Sequence, residues 1–234
     1  MNKVCFVYCI SALLVCSWVD SKSQEKPEQT YIWNGSGFDR APTYTEVIGS
    51  IFLFDDWHNG VIKLENGKNY NNVQLKYDQL NDQLNFKLEE GKPMTFTVPI
   101  KAFDIIVFDL EGNKTVQSFV NGFPAIDGGT DKSYYQVFNP GASPKIEFVK
   151  RLKKVIYERK VYSSAVAEKL VEDRTYYYLV MNKRLFRIKR SPKELLKYMG
   201  DYKKEINEFI AKNKLNFKSD NDFAEVVKYY NSLS

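Results

Sequence analysis

Apolar and polar side chains alternate over much of the stretch from Ile51 to Ile188, and this alternation limits what the 234-residue chain can fold into. A period of two places every second side chain on the same side of a β-strand, so each such segment has one apolar and one polar face. Residues 73–77 (VQLKY) are a clear example. The pattern predicts a protein built mainly on paired antiparallel strands.

Turn signals separate these segments at short intervals. Asn66-Gly67 suits a tight hairpin, because both residues tolerate the positive φ angles that such a turn requires. Residues 78–82, 111–113 and 181–183 carry further turn signals. The spacing predicts an antiparallel β-meander over residues 45–190, curled into a roll or a sandwich. Residues 158–174 fit either a short helix or an irregular crossing.

The period becomes helical after residue 190. Ser191, Pro192 and Glu194 supply a capping hydroxyl, a proline in the first turn and an acidic residue three positions after the cap. Two further helices are predicted to begin at Asp201 and Ser219. The expected fold is α+β: the β-rich domain is followed by three short C-terminal helices over residues 191–234, which pack on it.

The first 23 residues have the features of a signal peptide. Lys3 precedes an apolar run over residues 4–15 that Ser11 alone interrupts, and this run is too short to cross a bilayer as a helix. Ser21 and Ser23 are small residues suited to cleavage before Gln24. We therefore expect an exported protein, periplasmic, secreted or associated with the outer membrane, whose residues 24–44 form an extended arm or linker.

Cys16 suggests an alternative localisation through a lipid anchor, because residues 13–16 (LLVC) resemble a bacterial lipoprotein signal. Val15 argues against lipidation, since a small residue normally precedes the lipidated cysteine. All three cysteines lie within the predicted leader. Cleavage before Gln24 would leave no thiol for a disulfide, a zinc site or a nucleophile.

Charge is divided unevenly along the chain. Residues 24–144 carry ten basic and sixteen acidic side chains, whereas residues 145–234 carry twenty-two basic and twelve acidic ones. A basic half is typical of proteins that contact lipid head groups, acidic glycans or other anionic surfaces, and export argues against nucleic acid as a partner. The alternative is that the two halves face each other, or that the cations are solvated surface residues.

The densest positive run includes Lys150, Arg151, Lys153 and Lys154, which we take as candidate partner-binding residues. In a strand, Lys150 and Lys154 would share one face and the other two cations the opposite face. Charges on both faces are typical of an edge strand protected against aggregation, which is the structural alternative.

Asp56 and His58 are the candidate catalytic residues. In an extended segment they project from the same face, so the carboxylate could orient the imidazole. A nucleophile to complete a triad is missing, because Ser36 lacks the strand and helix that surround a nucleophile elbow. The alternative is that Asp55 and Asp56 form a turn before the first hairpin while His58 lies at its rim.

Other chemistries find little support in the sequence. The chain has one histidine, whereas catalytic zinc or iron sites usually need at least two. Residues 127–131 (DGGTD) lack the spacing of a known calcium loop and fit turn chemistry better. Phosphate-cradling and dinucleotide-binding glycine motifs are absent, so we expect no cofactor and no metal.

Three segments resemble an uncharacterised family of small exported proteins of the Bacteroidetes type. They are residues 56–60 (DWHNG) with the hairpin that follows, residues 134–138 (YYQVF), and the C-terminal stretch from 213 to 233. The resemblance implies export and an α+β shape but no activity. The sequence favours a non-enzymatic envelope or secreted protein that binds a macromolecule or an anionic surface. The alternative is a carboxylate-dependent hydrolase of the envelope.

Overall fold

The computed structural model describes residues 47–87, 91–139, 144–160 and 168–233, together with the backbone of the strand Phe38–Arg40. The predicted signal peptide, Cys16 and most of the predicted arm lie outside the described residues. Within them, the predicted α+β class with a large, mostly antiparallel sheet is confirmed.

Twelve strands belong to one hydrogen-bonded sheet. They are β1 (Phe38–Arg40), β2 (Val47–Ile48), β3 (His58–Leu64), β4 (Asn69–Asp78), β5 (Gln83–Lys87), β6 (Met94–Phe96), β7 (Ile100–Phe108), β8 (Lys114–Val120), β9 (Tyr135–Val137), β10 (Glu147–Arg159), β11 (Glu168–Met181) and β12 (Arg184–Ile188).

The spatial order of the strands is β1-β6-β5-β4-β3-β7-β8-β9-β10-β11-β12, and β2 pairs with β11. Every pairing along this path is antiparallel, while β2 runs parallel to β11. The predicted hairpin at Asn66-Gly67 joins β3 to β4, with Gly67 at a φ of +85°. The predicted 181–183 hairpin joins β11 to β12.

The sheet curls, so that the turn after β4 reaches β10. The Lys154 N–H donates to the Gln79 carbonyl at 3.1 Å, and the Tyr134 N–H donates to Asp82 Oδ1 at 3.2 Å. Large side chains fill the space that this curl encloses, among them Ile62, Leu75, Tyr77, Phe103 and Phe119, with Tyr134 at the edge. Their burial explains the alternating sequence of the first half of the chain.

Helices cover one side of β10 to β12, which we call the helix face. They are α1 (Pro192–Leu196), α2 (Lys203–Lys212) after a 3₁₀ turn, and α3 (Asp220–Leu233). The predicted cap is confirmed, because Ser191 Oγ accepts the Glu194 N–H at 3.4 Å. The prediction that all three helices are short is wrong, since α3 has 14 residues. Its apolar stripe packs in one cluster with residues of β10, β11 and β12, which favours a longer helix.

Two further predictions about β10 and β11 are wrong. Residues 168–174 continue β11 rather than forming a helix or an irregular crossing, because a register of thirteen residue pairs joins them and the rest of β11 to β10. The prediction that β10 is an edge strand is wrong at Val149 and Lys150, which pair with β9 as well as with β11, whereas residues 151–159 pair with β11 alone among the described strands. The predicted alternation within β10 is nevertheless correct: Lys150 projects to the helix face and Arg151 to the opposite side.

Within the described residues, no helix combines the length and the apolar character that crossing a membrane requires.

Candidate functional site

Residues 121–133, between β8 and β9, cross the side of the sheet opposite the helices, which we call the loop face. Asp127 anchors this loop: Tyr178 Oη donates to its Oδ2 at 2.8 Å and Arg187 Nη1 to its Oδ1 at 3.0 Å. Burial, and then the hydrogen bond to Asp127, raise the pKa of Tyr178 well above its ordinary value. The Asp127 carboxylate therefore has protein partners in this turn.

Arg151 holds the same loop from below. Its side chain is almost fully buried and donates to the Asp127 carbonyl at 3.3 Å, the Gly128 carbonyl at 3.5 Å and Ser133 Oγ at 3.3 Å. A Cβ on Gly129 would lie 2.8 Å from Arg151 Nη1, so a side chain at this position would displace the guanidinium group. Arg151 positions the loop and presents little surface to a partner.

The anchored loop forms one wall of an open cleft of about 590 Å³, which we call the Glu147 cleft. The facing wall is the turn between β11 and β12, and the first residues of β10 form the floor. Its volume falls within the range of about 300–1,000 Å³ typical of ligand sites. Apolar contacts come from Phe123, Pro124, Pro144 and Val180, and polar groups from Lys145, Glu147, Asn182 and Lys183.

Glu147 is the half-buried acid on the floor of this cleft. Burial raises the pKa of its carboxyl above the ordinary value. Among the residues that the structure describes, it forms no ion pair or side-chain hydrogen bond. Its carboxyl group is therefore available to a ligand, as a hydrogen-bond donor when protonated and an acceptor when ionised.

Two lysines also contribute to the lining of the cleft. Lys145 Nζ lies 5.3 Å from the centre of the Tyr230 ring, and Lys183 occupies the turn after β11. Asn182 and Lys183 both have positive φ angles, 50° and 61°, as expected for a two-residue hairpin turn that follows the sheet twist. Neither lysine pairs with a carboxylate in the described part of the chain. Lys183 therefore supplies a cation without an ion-pair partner to the cleft, whereas the Lys145 ammonium group lies over a ring of the helix face.

The candidate partner-binding cations are divided between the two faces of the sheet. Lys150 Nζ contacts Asp220 Oδ2 at 2.7 Å, and Lys154 Nζ contacts Asp173 Oδ1 at 2.9 Å. Arg151 is bonded to the loop, as described above. Lys153 is partly exposed and has no ion pair with the described residues. Three of these four cations thus have internal partners, and the role of the set in binding stays a prediction.

The candidate catalytic residues Asp56 and His58 lie where the chain enters β3. Residues 55–56 form a bend rather than the extended segment on which the prediction rested, and the strand begins at His58. The His58 ring packs edge-on against Phe54, with 4.7 Å between ring centres. No hydrogen bond among the described residues joins Asp56 to His58. Their catalytic role stays a prediction.

Metal-binding groups of three or more histidine, cysteine, aspartate or glutamate residues do not occur in the described ranges.

The sequence did not single out Glu147, Lys145 or Lys183, because each is one of many charged residues with no motif around it. Lys183 carried a partial signal, since its position in a predicted hairpin turn implied exposure. The cleft itself depends on the path of residues 121–133 across the sheet, which local patterns do not encode.

No protein-family model matches the chain, and searches of curated proteins and of solved structures also found no match.

Proposed function

We propose that this is an exported, non-enzymatic protein that binds an acidic polysaccharide in the Glu147 cleft. The observation that carries the proposal is Lys183, which lacks a carboxylate partner within the described residues and lines the cleft together with apolar residues, while Lys145 also contributes to the lining. Lysines can bind the carboxylates of a sugar chain, while Phe123 and the two prolines can pack against its C–H faces.

The shape of the site favours a polymer chain over a membrane surface. The floor at Glu147 lies between the loop and the β11–β12 turn, and a flat lipid surface cannot reach into such a cleft. Glu147 adds a pH dependence to this proposal. Its raised pKa means that it takes up a proton at a higher pH than an exposed glutamate, which removes a negative charge beside the ligand. Binding should therefore strengthen as the solution becomes mildly acidic.

The export route and the resemblance to exported Bacteroidetes-type proteins belong to this proposal, since an acidic envelope or extracellular glycan is a partner for an exported protein. The cation set at residues 150–154 contributes less than its charge suggested, because Lys150 and Lys154 already have carboxylate partners. Lys153 remains a candidate for a secondary contact. No observation in the described part favours the alternative hydrolase over the binding role.

The test is retention of the purified protein on immobilised polygalacturonate, with neutral dextran as the comparison polymer. We expect retention at low salt that falls steeply as salt rises, because screening weakens exposed charge interactions. Lys145→Glu together with Lys183→Glu should weaken binding by about tenfold or more, equivalent to about 1.4 kcal/mol.

Lys203→Glu together with Lys204→Glu is the matched control, because both are exposed lysines on α2, beyond the opposite face of the sheet, and the change in net charge is the same. Equal losses in the cleft variant and the control would show that net charge alone is responsible and would exclude the cleft. Retention of the protein on vesicles of anionic phospholipid, but not on polygalacturonate, would assign the surface to lipid and contradict the polysaccharide proposal.

A further inference from the structure

The hairpin of β7 and β8 projects from the sheet at its turn. β3 pairs with β7 only from Ile100 to Ile105, and β9 pairs with β8 only from Ser118 to Val120. The strand residues within 106–116 therefore pair with one another and have no neighbouring strand among the described residues. The tip of this hairpin is free to enter a concave surface on another molecule.

Apolar side chains on this projecting segment are exposed to an unusual degree. Leu110, at the turn, is fully exposed, and the exposed fractions of Phe108 and Val116 are 60% and 48%. Each is large, and together they form an apolar tip at one end of the molecule. Contiguous exposed apolar residues of this kind mark interaction surfaces more often than isolated ones do.

The turn that carries Leu110 is well defined. Asp109 Oδ1 accepts the N–H groups of Glu111 at 2.9 Å and Asn113 at 2.8 Å, and its Oδ2 accepts Asn113 Nδ2 at 2.9 Å. These hydrogen bonds lower the pKa of Asp109, so it stays ionised. Asp109 and Glu111 therefore place a negative charge on each side of the exposed leucine.

The strand register places this tip beside the Glu147 cleft. Ser118 of β8, Val137 of β9 and Val149 of β10 are paired in one row across the sheet. Val116 lies two positions before Ser118 in β8, and Glu147 lies two positions before Val149 in β10. Both steps run in the same direction along the sheet. Neighbouring strands are about 4.8 Å apart, so these two residues are separated by about 10 Å on the same face. Hairpin and cleft thus share one end of the loop face.

The tip and the cleft are complementary. The tip presents a leucine between two acids, and the cleft presents apolar residues together with Lys183. We propose that the β7–β8 hairpin tip of one copy occupies the Glu147 cleft of a second copy, with Leu110 against the apolar wall and Glu111 beside Lys183. Because both patches lie at the same end of one face, a two-fold dimer can make the contact twice.

Insertion of the hairpin into a membrane is the competing interpretation of its exposed residues. Asp109 and Glu111 oppose it, because they would enter the head-group region beside anionic lipids. The same two charges favour contact with a cation, and Lys183 in the Glu147 cleft supplies one on this molecule. The observations therefore favour a second copy of the chain.

Sedimentation velocity of the purified protein over a range of concentrations tests this proposal. We expect a reversible monomer–dimer equilibrium. Leu110→Ser should raise the dimer dissociation constant by about tenfold or more, because it removes a leucine from the contact. Ile48→Ser is the matched control, since Ile48 is also a large exposed apolar residue but lies on β2, away from the hairpin. It should leave the constant unchanged.

A charge exchange sharpens the test. Glu111→Lys and Lys183→Glu should each weaken the dimer, and the protein that carries both should recover dimerisation, because the opposite charges face each other again with reversed sign. Circular dichroism checks that each variant is folded. A protein that stays monomeric at all concentrations, or a double variant no stronger than the single ones, would overturn the proposal.

One further experiment rests on the proposed function. If polygalacturonate binds the same cleft, adding it should convert dimer to monomer. A dimer that polygalacturonate neither binds nor dissociates would disprove the polysaccharide proposal and leave the dimer standing. A monomeric protein that is retained on polygalacturonate would disprove the dimer proposal and leave the polysaccharide proposal standing.

Discussion

The helix face and the loop face are built on the same strands but are covered in different ways. On the helix face, Phe148 and Leu179 of the sheet pack against Phe223, Val227 and other apolar residues of α3, all almost fully buried. On the loop face, Val149 and Tyr178 are covered by a loop whose Phe123 and Ile126 are only partly buried, and the Glu147 cleft stays open beside it. A fold can thus seal one side of a strand pair and leave the other for binding.

An aspartate fixes α3 to the helix face, and another fixes the loop to the opposite face. Asp220 binds Lys150 and Arg190 and so fixes α3 to the helix face, each with 2.7 Å between the bonded atoms. Asp127 binds Tyr178 and Arg187 and so fixes the loop to the opposite face. What differs is the apolar contact beneath each aspartate. We therefore expect the helix face to carry most of the stability and the loop face to carry the adaptable site.

Removing the largest apolar contact on the helix face should have the greatest effect. Phe223 is fully buried, and its ring centre lies 4.7 Å from that of Phe148 and 5.4 Å from that of Phe217. Phe223→Ala should lower the free energy of unfolding by about 3–5 kcal/mol, because it leaves a cavity in a packed core. Denaturant-induced unfolding measures the change.

Phe123→Ala is the matched comparison on the loop face. Phe123 packs against Tyr135 at 5.0 Å but is partly exposed in the cleft wall, so its loss should cost clearly less. Similar losses of unfolding free energy for the two variants would show that the loop contributes to the core as much as the helices do. The two faces would then not differ in stability.

The sequence was sufficient where structure depends on near neighbours in the chain. The alternation over residues 73–77, the turn at Asn66-Gly67 and the cap at Ser191 each depend on residues within a few positions, and each was predicted correctly. Residues 168–174 were not, because their strand is fixed by pairing with β10 and charged side chains mask their alternation.

The site was less predictable because it depends on distant contacts. The basic run around Arg151 suggested an exposed surface, whereas Arg151 is buried beneath residues 127–133, about twenty positions earlier in the chain. Charge density in a sequence does not distinguish a free cation from one with an internal partner. Glu147 became a candidate only once the loop had been placed over the sheet.

Neutralising the aspartate of the helix face should have an intermediate effect. Burial raises the pKa of Asp220, but the bonds from Lys150 and Arg190 outweigh burial and leave it below the ordinary value. Asp220→Asn should lower the free energy of unfolding at neutral pH by about 2 kcal/mol, because it uncouples two cations from their shared partner.

The pH dependence of that variant checks the cause. A carboxylate with a lowered pKa stabilises the fold above its unfolded-state pKa of about 3.9, and this contribution disappears as the pH falls through the folded-state value. The stability gap between the original protein and Asp220→Asn should therefore be full at pH 7 and narrow below about pH 4. A gap that stays constant down to acidic pH would show that lost packing, rather than the lost charge, is responsible.

Asp127→Asn should have the smallest effect on the free energy of unfolding, and its effect should be confined to the loop. The amide oxygen can still accept from Tyr178, but the charge that holds Arg187 is lost, and Arg187 is itself largely exposed. We expect a loss of about 1 kcal/mol in the free energy of unfolding. Amide hydrogen exchange within residues 121–133 should accelerate, while exchange in α3 stays unchanged, because the loop opens without unfolding the helix face.

Retention on polygalacturonate completes this experiment, since the loop carries the Phe123 wall of the cleft. A looser loop should weaken binding even though position 127 lies outside the lining of the cleft. Asp131→Asn is the control, because it removes the same charge from an exposed residue of the same loop whose side chain anchors nothing among the described residues. If exchange accelerates equally in the loop and in α3, the two faces form one cooperative unit, and the division of stability and binding between them is wrong.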